Sequence, residues 1–399
     1  MLHPFAAAYY SAKNRGQLTQ LIVSDLDTAD HLWGGPDSSK SFRNVLVGPT
    51  EQRGEIWQSW ISSGDIELAE NDYYYVLHQS QRVEGKRIDR WAIYASVSVA
   101  EQTLFTHEDV LPEGVERARQ GTEACESDIA PIFVGCEEGV GTSLRELLGA
   151  YCRDRAPLMR FETIEKGAHA VWAVEDAATA AGIKRLFEGT PLFLLDGHHR
   201  LAAARENYRL GLGDGKILAC VCSMAPSDTL ILPIHRAVNY ERWTLPDALH
   251  ADLVRAGCKV SELPGLKVGA GAIQDFIETH SSPGPFCVVQ HSHSTKPSLV
   301  DLSPAGRLPP QLAGLSVAAL DAGVMADHPQ ATVIPVPSLD LALQQLALDQ
   351  AQAVFFLPAS SPSQVRSIAL SRLRMPRKST RFTPKPALGL LCRPWTSSG

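Results

Sequence analysis

The feature that most constrains the fold is an apolar run, residues 191–195, that ends at Asp196-Gly197, where an alanine-rich, helix-forming segment begins. This order predicts a buried strand that leads directly into a helix. Asp196 is a natural N-cap for that helix, because its carboxylate can accept hydrogen bonds from the amides of the first turn. Gly197 lets another group approach the backbone closely. The sequence therefore predicts a strand-to-helix junction with an accessible helix start.

The first helical turn carries two imidazoles and a guanidinium, from His198, His199 and Arg200. The amides and dipole of a helix start favour an anion, and guanidinium binds phosphate oxygens in a bidentate way. The combination predicts a phosphate or nucleotide site. Two other interpretations stay open: a capped core helix with solvated polar residues, and a histidine-based metal site. Because adjacent helical residues point about 100° apart, that metal would also need His235 or Asp196.

Composition restricts the class of protein and its partners. The 399 residues are enough for two domains, and a hydrophobic content of 44% with 20% charged residues is ordinary for a globular chain. The net charge of −7 argues against a nucleic-acid partner, which would need a basic surface. No apolar run approaches the roughly 20 residues that span a bilayer, so we expect no membrane partner.

The termini and cysteines indicate the compartment. The first residues lack the basic start and long apolar core of a signal peptide. The eight cysteines are scattered and show no zinc-ribbon spacing. Buried free thiols in a reducing compartment explain this pattern best. We therefore expect a cytoplasmic protein, and the sequence predicts no particular oligomeric state.

Helical and strand patterns alternate along the chain and predict a mixed α+β fold. Residues 51–62 and 175–188 have helical spacing, and two strands, residues 72–78 and 90–99, flank a turn at 84–87.

The predicted fold has two parts. We expect residues 1–240 to form a core with an N-terminal extension, and residues 241–399 to form an α/β subdomain that completes the site. Residues 303–310 have the composition of a linker.

Other segments offer similar chemistry. His107 and Glu108 follow the second strand of the hairpin, where a carboxylate can be the general base for a hydroxyl. An exposed acidic loop is the alternative. His235 and Arg236 follow another apolar run and either complete an anion pocket or form a surface turn.

A basic segment, residues 375–385, carries Lys378, Ser379 and Thr380. It lacks the Gly-rich frame of a P-loop. It is therefore either a loop that contacts phosphate or a solvated basic segment.

In order and spacing, these segments resemble the bacterial and archaeal domain-of-unknown-function 1015 family, over nearly the whole chain. The residues that carry the resemblance are Thr106-His107-Glu108, Arg117, residues 127–133, Asp196-Gly197-His198-His199-Arg200, residues 232–236 and residues 375–380 with Phe382, Pro384 and Lys385.

Around Asp196 to Arg200 that family is similar to the ParB/sulfiredoxin superfamily, which includes nucleotide-binding segregation proteins, sulfiredoxin and the free-serine kinases. The resemblance implies a ParB/sulfiredoxin-like α/β core in which this segment opens a helix and holds nucleotide phosphates. In the free-serine kinases a glutamate elsewhere acts as base, and Glu108 lies in a matching motif.

Two departures from the family pattern imply a specialised member. Leu201-Ala202-Ala203 stand where the family has Tyr-Glu-Thr, and residues 24–27 are the nearest remnant of the family's proline-rich Tyr-Asp-Val segment near the N-terminus. A member that acts on an unusual hydroxy amino acid would fit these departures.

We therefore expect a small-molecule kinase that transfers a phosphoryl group from ATP or ADP to the hydroxyl of free L-serine or a related hydroxy amino acid. Mg²⁺ would bridge phosphate oxygens, with Asp196 as a direct or water-mediated ligand. Glu108, Asp196, His198 and His199 are the expected catalytic residues, and His107 and Arg117 are expected to bind substrate. The expected phosphate and nucleotide ligands are Gly197, His198, His199, Arg200, His235, Arg236, Lys378, Ser379 and Thr380.

Two alternative functions use the same phosphate-binding turn. A nucleotide-binding regulatory switch would bind nucleotide, hydrolyse it slowly and need no small acceptor. A phosphoester hydrolase would use water as the nucleophile and release phosphate without a second product.

Overall fold

The computed structural model describes residues 2–24, 39–282, 284–302 and 308–395. The chain forms two compact units, and each unit draws on separate stretches of sequence. The first comprises Met1–Thr106, Val110–Leu230 and Phe382–Gly399, and the second comprises His107–Asp109 and Ile231–Arg381. A single boundary at residue 240 does not describe this division. Residues 25–27 of the N-terminal remnant and 303–307 of the linker-like segment lie outside the described residues.

Helices and strands alternate through the described residues, so the expected mixed α/β class is confirmed. The strands are β1 (Leu2–His3), β2 (Ala8–Tyr10), β3 (Ile66–Leu68), β4 (Tyr74–Val83), β5 (Lys86–Ser98), β6 (Leu104–Phe105), β7 (Ser127–Asp128), β8 (Ile132–Cys136), β9 (Met159–Glu162), β10 (Ala168–Val174), β11 (Leu192–Asp196), β12 (Lys216–Ser223), β13 (Leu230–Leu232), β14 (His235–Asn239), β15 (Lys259–Glu262), β16 (Phe286–His291), β17 (Ser298–Asp301), β18 (Thr332–Val336), β19 (Ala353–Phe356), β20 (Arg381–Thr383) and β21 (Arg393–Pro394). The α-helices are α1 (Leu18–Leu21), α2 (Arg43–Val47), α3 (Thr50–Ser62), α4 (Pro112–Cys125), α5 (Glu138–Cys152), α6 (Ala177–Leu186), α7 (His198–Arg209), α8 (Pro246–Arg255), α9 (Ala270–Thr279), α10 (Pro310–Ala313), α11 (Ser316–Gly323), α12 (Leu339–Ala347) and α13 (Pro362–Leu370). Short 3₁₀ helices span Ala12–Gln17 and Met325–Asp327.

A nine-stranded mixed sheet forms the core of the first unit. Its strand order is β6-β11-β8-β12-β5-β4-β10-β9, and β1 pairs with β5. The predicted hairpin is confirmed: β4 and β5 pair antiparallel, and Glu84 and Gly85 turn the chain with φ values of 48° and 73°. Fully buried side chains such as Ile93, Val134 and Leu194 fill the space beside this sheet, so apolar burial holds the strands in register.

The second unit is built on a six-stranded sheet in the order β15-β17-β16-β19-β14-β18. Every neighbouring pair in it is antiparallel. Val288, Val354 and Phe356 are fully buried and pack with Ile273 of α9 and Ala342 of α12. The helices beyond residue 240 therefore cover the sheet as amphipathic elements do.

The predicted helices at residues 51–62 and 175–188 are confirmed as α3 and α6. The second starts later than predicted, because the Asp176 carboxylate accepts hydrogen bonds from the amides of Ala178 and Thr179 and caps the helix there. All eight cysteines are free and buried. Within the described ranges, no helix combines the length and apolar content needed to cross a membrane.

Candidate functional site

The strand-to-helix junction is present where the sequence predicts it, with a different cap. β11 ends at Asp196 and α7 begins at His198. Gly197 between them has φ +96°, a left-handed conformation that glycine adopts without the Cβ clash of other residues. The prediction that Asp196 caps the helix is wrong: Gly197 occupies the cap position, and no side chain caps α7 there. The Asp196 carboxylate binds the side chain of Arg200 instead.

Asp196 lies between two cations. The Arg200 Nη2 is 2.7 Å from its Oδ2, and the Lys385 Nζ is 3.6 Å from its Oδ1. Burial favours the neutral acid, but Arg200, Lys385 and His198 outweigh it and lower the pKa of Asp196 to about 2. Asp196 is therefore a carboxylate at neutral pH that holds Arg200 in place. Lys385 belongs to a segment that carries the family resemblance, but no local pattern indicates that it lies beside Asp196.

The surroundings of Asp196 do not fit a magnesium ion held by the protein. Each carboxylate oxygen faces a cation, whereas Mg²⁺ needs oxygen ligands with available negative charge. Across residues 2–24, 39–282, 284–302 and 308–395, no group of three histidine, cysteine or acidic side chains is placed to hold a metal.

His199 joins the start of α7 to the start of α4. The Leu111 amide donates a hydrogen bond to His199 Nε2 over 3.0 Å. A Cβ at Gly114 of α4 would lie only 2.5 Å from the imidazole Cδ2. The ring therefore packs where only glycine leaves room, and His199 fixes the spacing of the two helix starts.

A cavity of about 580 Å³ opens between α4, α7 and residues 212–217, which lead into β12. Its volume is in the range of small-molecule sites. Predicted site residues Arg117, His199 and Arg200 line it. Side chains in its wall that the sequence analysis missed include Arg53, Thr122, Asn207, Lys216 and Trp395.

Some of the charged side chains that line this cavity form ion pairs, and others do not. Three acidic residues line it: Asp128 and Asp214 are both bound by Arg393, at 2.8 Å from its Nε and Nη1 respectively, and Glu113 has no cation partner in the part of the chain that the structure describes. Arg53 and Arg117 have no carboxylate partner among the described residues. Unpaired guanidinium groups in a cleft attract anions, so the cavity is suited to a negatively charged ligand.

The second unit brings another set of predicted residues together. Ser379 donates its backbone N–H to Glu108 Oε1 over 3.1 Å, and Met375 donates its own to the His107 carbonyl over 2.8 Å. His107 Nε2 is 3.2 Å from the Thr380 hydroxyl. The structure therefore places residues 107–108 beside residues 375–380, over 260 positions away in sequence.

His235 and Arg236 are both buried in the second unit. Arg236 donates to the carbonyls of Lys378 and Arg377 over 3.0 and 3.2 Å, and to Asp321 over 3.3 Å. His235 Nδ1 accepts a hydrogen bond from Leu357 N–H, and burial lowers the pKa of His235 to about 4. Both side chains are therefore bonded to groups of the protein itself, whereas the sequence analysis predicts that they contact phosphate.

Comparison with solved structures finds distant similarity. A structure described as "Free serine kinase in complex with AMP" has 12% identity and a TM-score of 0.39, with 73% of this chain and 87% of that chain covered. A variant of that enzyme with ADP has 12% identity and a TM-score of 0.40 over the same shares. "SbnI with C-terminal truncation from Staphylococcus aureus" has 13% identity and a TM-score of 0.40, with 75% of this chain and 87% of that chain covered.

Sequence comparison gives a clearer assignment. No curated protein matches the chain. The model of one family matches residues 13–301, which is most of the sequence. The chain therefore belongs to the family described as "Protein of unknown function (DUF1015)".

Proposed function

We propose that this protein is a small-molecule kinase that transfers a phosphoryl group from ATP or ADP to the hydroxyl of free L-serine or a related hydroxy amino acid. The observation that carries the proposal is the cationic cavity whose wall holds Arg200 at the start of α7. The distant serine kinase structures name the activity to test first.

Arg200 and the adjacent helix start bind the nucleotide phosphates in this proposal. Guanidinium matches phosphate oxygens, and the first amides of α7 have no side-chain cap competing for them. The 2.7 Å ion pair with Asp196 orients Arg200. Because its pKa is about 2, Asp196 is a weak proton acceptor, so it acts as a positioning residue.

In the transfer step, the acceptor hydroxyl oxygen forms a bond to the terminal phosphorus. The bond from that phosphorus to the bridging oxygen breaks, so ATP leaves as ADP, or ADP as AMP. The hydroxyl proton passes to a base, for which Glu108 stays our prediction. Arg200 stabilises the negative charge on the phosphoryl oxygens as the bonds exchange. No step is assigned to Mg²⁺, because the residues around Asp196 do not fit it.

Phosphorus NMR of the purified protein with ATP or ADP and a pool of L-serine, L-threonine and homoserine tests the proposal. We expect a new phosphomonoester signal, and omission of each acceptor in turn identifies the substrate. Arg200→Gln should reduce the rate by at least roughly 100-fold, the effect of losing one group that stabilises transition-state charge. Arg209→Gln is the matched control, because Arg209 lies on the same helix but is exposed and pairs with Glu206; its rate should be unchanged.

Three outcomes would contradict the proposal. Inorganic phosphate as the only product would indicate the hydrolase. Nucleotide binding with no turnover would indicate the regulatory switch. Equal rates for wild type and Arg200→Gln would remove Arg200 from the phosphate site. A Glu108→Gln variant with the wild-type rate would exclude Glu108 as the base and leave the activity itself in place.

A further inference from the structure

Arg53 lies in the cavity wall, although no sequence motif pointed to it. It is on α3, where Arg53, Trp57 and Trp60 form the buried face, and it is 9% exposed. Its Nε donates to the Gly48 carbonyl over 2.7 Å. In the described part of the chain, no carboxylate pairs with its guanidinium. A buried, unpaired charge is unfavourable, so an anion that enters the cavity would stabilise this side chain.

The guanidinium of Arg53 rests against α4 at Gly121. A Cβ at Gly121 would lie 3.0 Å from Arg53 Nη1. Glycine weakens a helix interior relative to alanine, so α4 keeps a locally unfavourable residue at the point where the arginine needs room. An alanine at position 121 would therefore shift the Arg53 guanidinium by a few tenths of an ångström.

Arg117 lies one helical turn before Gly121, and residues four apart on a helix are neighbours. It also lines the cavity and, like Arg53, has no carboxylate partner within the described ranges. We propose that Arg53 and Arg117 form an anion subsite that binds the carboxylate of the acceptor amino acid. This inference rests on the proposed kinase function and extends the substrate role predicted for Arg117 to a residue on α3.

The two anion sites of the cavity differ in their construction. Arg200 is held by Asp196 beside the start of α7, a setting suited to phosphate. Arg53 and Arg117 come from α3 and α4, and neither has a carboxylate partner among the described residues; Arg53 is bound instead to the Gly48 carbonyl, just before α3. Guanidinium binds a carboxylate in a bidentate way. An amino acid acceptor carries a carboxylate as well as the hydroxyl that is phosphorylated. The subsite would therefore select acceptors that have a carboxylate.

Steady-state kinetics with L-serine and serinol, which lacks the carboxylate, tests this selection. We expect the wild type to prefer L-serine. Arg53→Gln should raise the KM for L-serine roughly ten- to 100-fold, as expected for loss of a charge-assisted hydrogen bond, with the nucleotide KM unchanged and the preference over serinol lost. Gly121→Ala should also raise the KM for L-serine, although alanine favours the helix. Thermal unfolding of each variant separates this effect from loss of folding.

Arg119→Gln is the control, because Arg119 is on α4 but binds Glu116 and Glu123; its kinetics should match the wild type. Equal use of serinol and L-serine by the wild type would overturn the inference and leave the kinase intact. A raised nucleotide KM in Arg53→Gln would assign the subsite to phosphate and overturn it too. If no acceptor is phosphorylated, the proposed function fails, and calorimetric titration with L-serine then decides the subsite: binding lost in Arg53→Gln supports it, and equal or absent binding overturns it.

Discussion

Each unit contains a histidine followed by an arginine next to a buried strand, and the two pairs have different surroundings. In the first unit, His199 and Arg200 lie in the first turn of α7 and line a cavity. In the second, His235 and Arg236 begin β14, are each 2% exposed, and bond to backbone groups.

The difference comes from where each strand ends. β11 ends before His199 and Arg200, and the left-handed Gly197 turns the chain there. The side chains of these two residues therefore lie outside the sheet. β14 includes His235 and Arg236 and continues to Asn239, so both residues are part of the sheet. The end of the strand therefore decides whether the same two residue types face a ligand or the protein core.

Replacing the two arginines should separate their roles, and this test has the largest expected effect on stability. Arg236→Gln removes donors from four backbone carbonyls and from Asp321, and should lower the free energy of unfolding by about 3 kcal/mol. Arg200→Gln breaks a partly exposed ion pair and should lower it by less than about 1 kcal/mol. Urea unfolding measures both values. An Arg236→Gln variant with wild-type stability and weakened ADP binding would instead make Arg236 a phosphate ligand.

The pH dependence of stability should reveal the buried histidine of the second unit. Burial lowers the pKa of His235 from 6.5 to about 4, so the folded state favours the neutral ring. As pH falls, the unfolded chain binds the proton first, so this stabilisation is complete above pH 6.5 and is lost as pH falls towards 4. The expected loss from this group between pH 7 and pH 5 is about 2 kcal/mol. His235→Asn, which keeps an acceptor for Leu357 N–H, should remove that part of the pH dependence, as measured by urea unfolding at both pH values. An identical pH dependence in wild type and variant would contradict the assignment.

Local sequence patterns predicted the elements that depend on local physics. The junction at Asp196-Gly197, the β4–β5 hairpin and helices α3 and α6 all follow from apolar spacing and turn residues. The prediction that Asp196 is the N-cap of α7 was wrong, because the residue at the cap position depends on the φ angle of Gly197. The sequence pattern is compatible with either Asp196 or Gly197 as the cap.

The candidate site depends on contacts between distant parts of the chain, which no local pattern contains. Lys385 pairs with Asp196, which lies 189 positions earlier in the chain. Arg53 of α3 lies beside Gly121 of α4. One signal for Arg53 was present: it shares helical spacing with Trp57 and Trp60, and an arginine on an apolar helix face is unusual. The burial of Arg236 had no such signal, because the apolar run before it does not show whether the strand continues.

The smallest expected effect tests the strand end itself. Gly197→Ala places a side chain at φ +96°, with its Cβ 2.9 Å from Arg200 Nη2 and 3.0 Å from Ile132 Cγ2. The left-handed conformation should cost about 1 kcal/mol of unfolding free energy, and displacement of Arg200 should weaken ADP binding, measured by calorimetry. Gly149→Ala is the control: Gly149 is inside α5 with open space around it, so alanine should stabilise the protein by about 0.5 kcal/mol.

If Gly197→Ala kept wild-type ADP affinity, the left-handed turn would not be what directs Arg200 towards a ligand, and the contrast with Arg236 would need another cause. If affinity falls while Gly149→Ala leaves it unchanged, the strand end is what separates the two arginines.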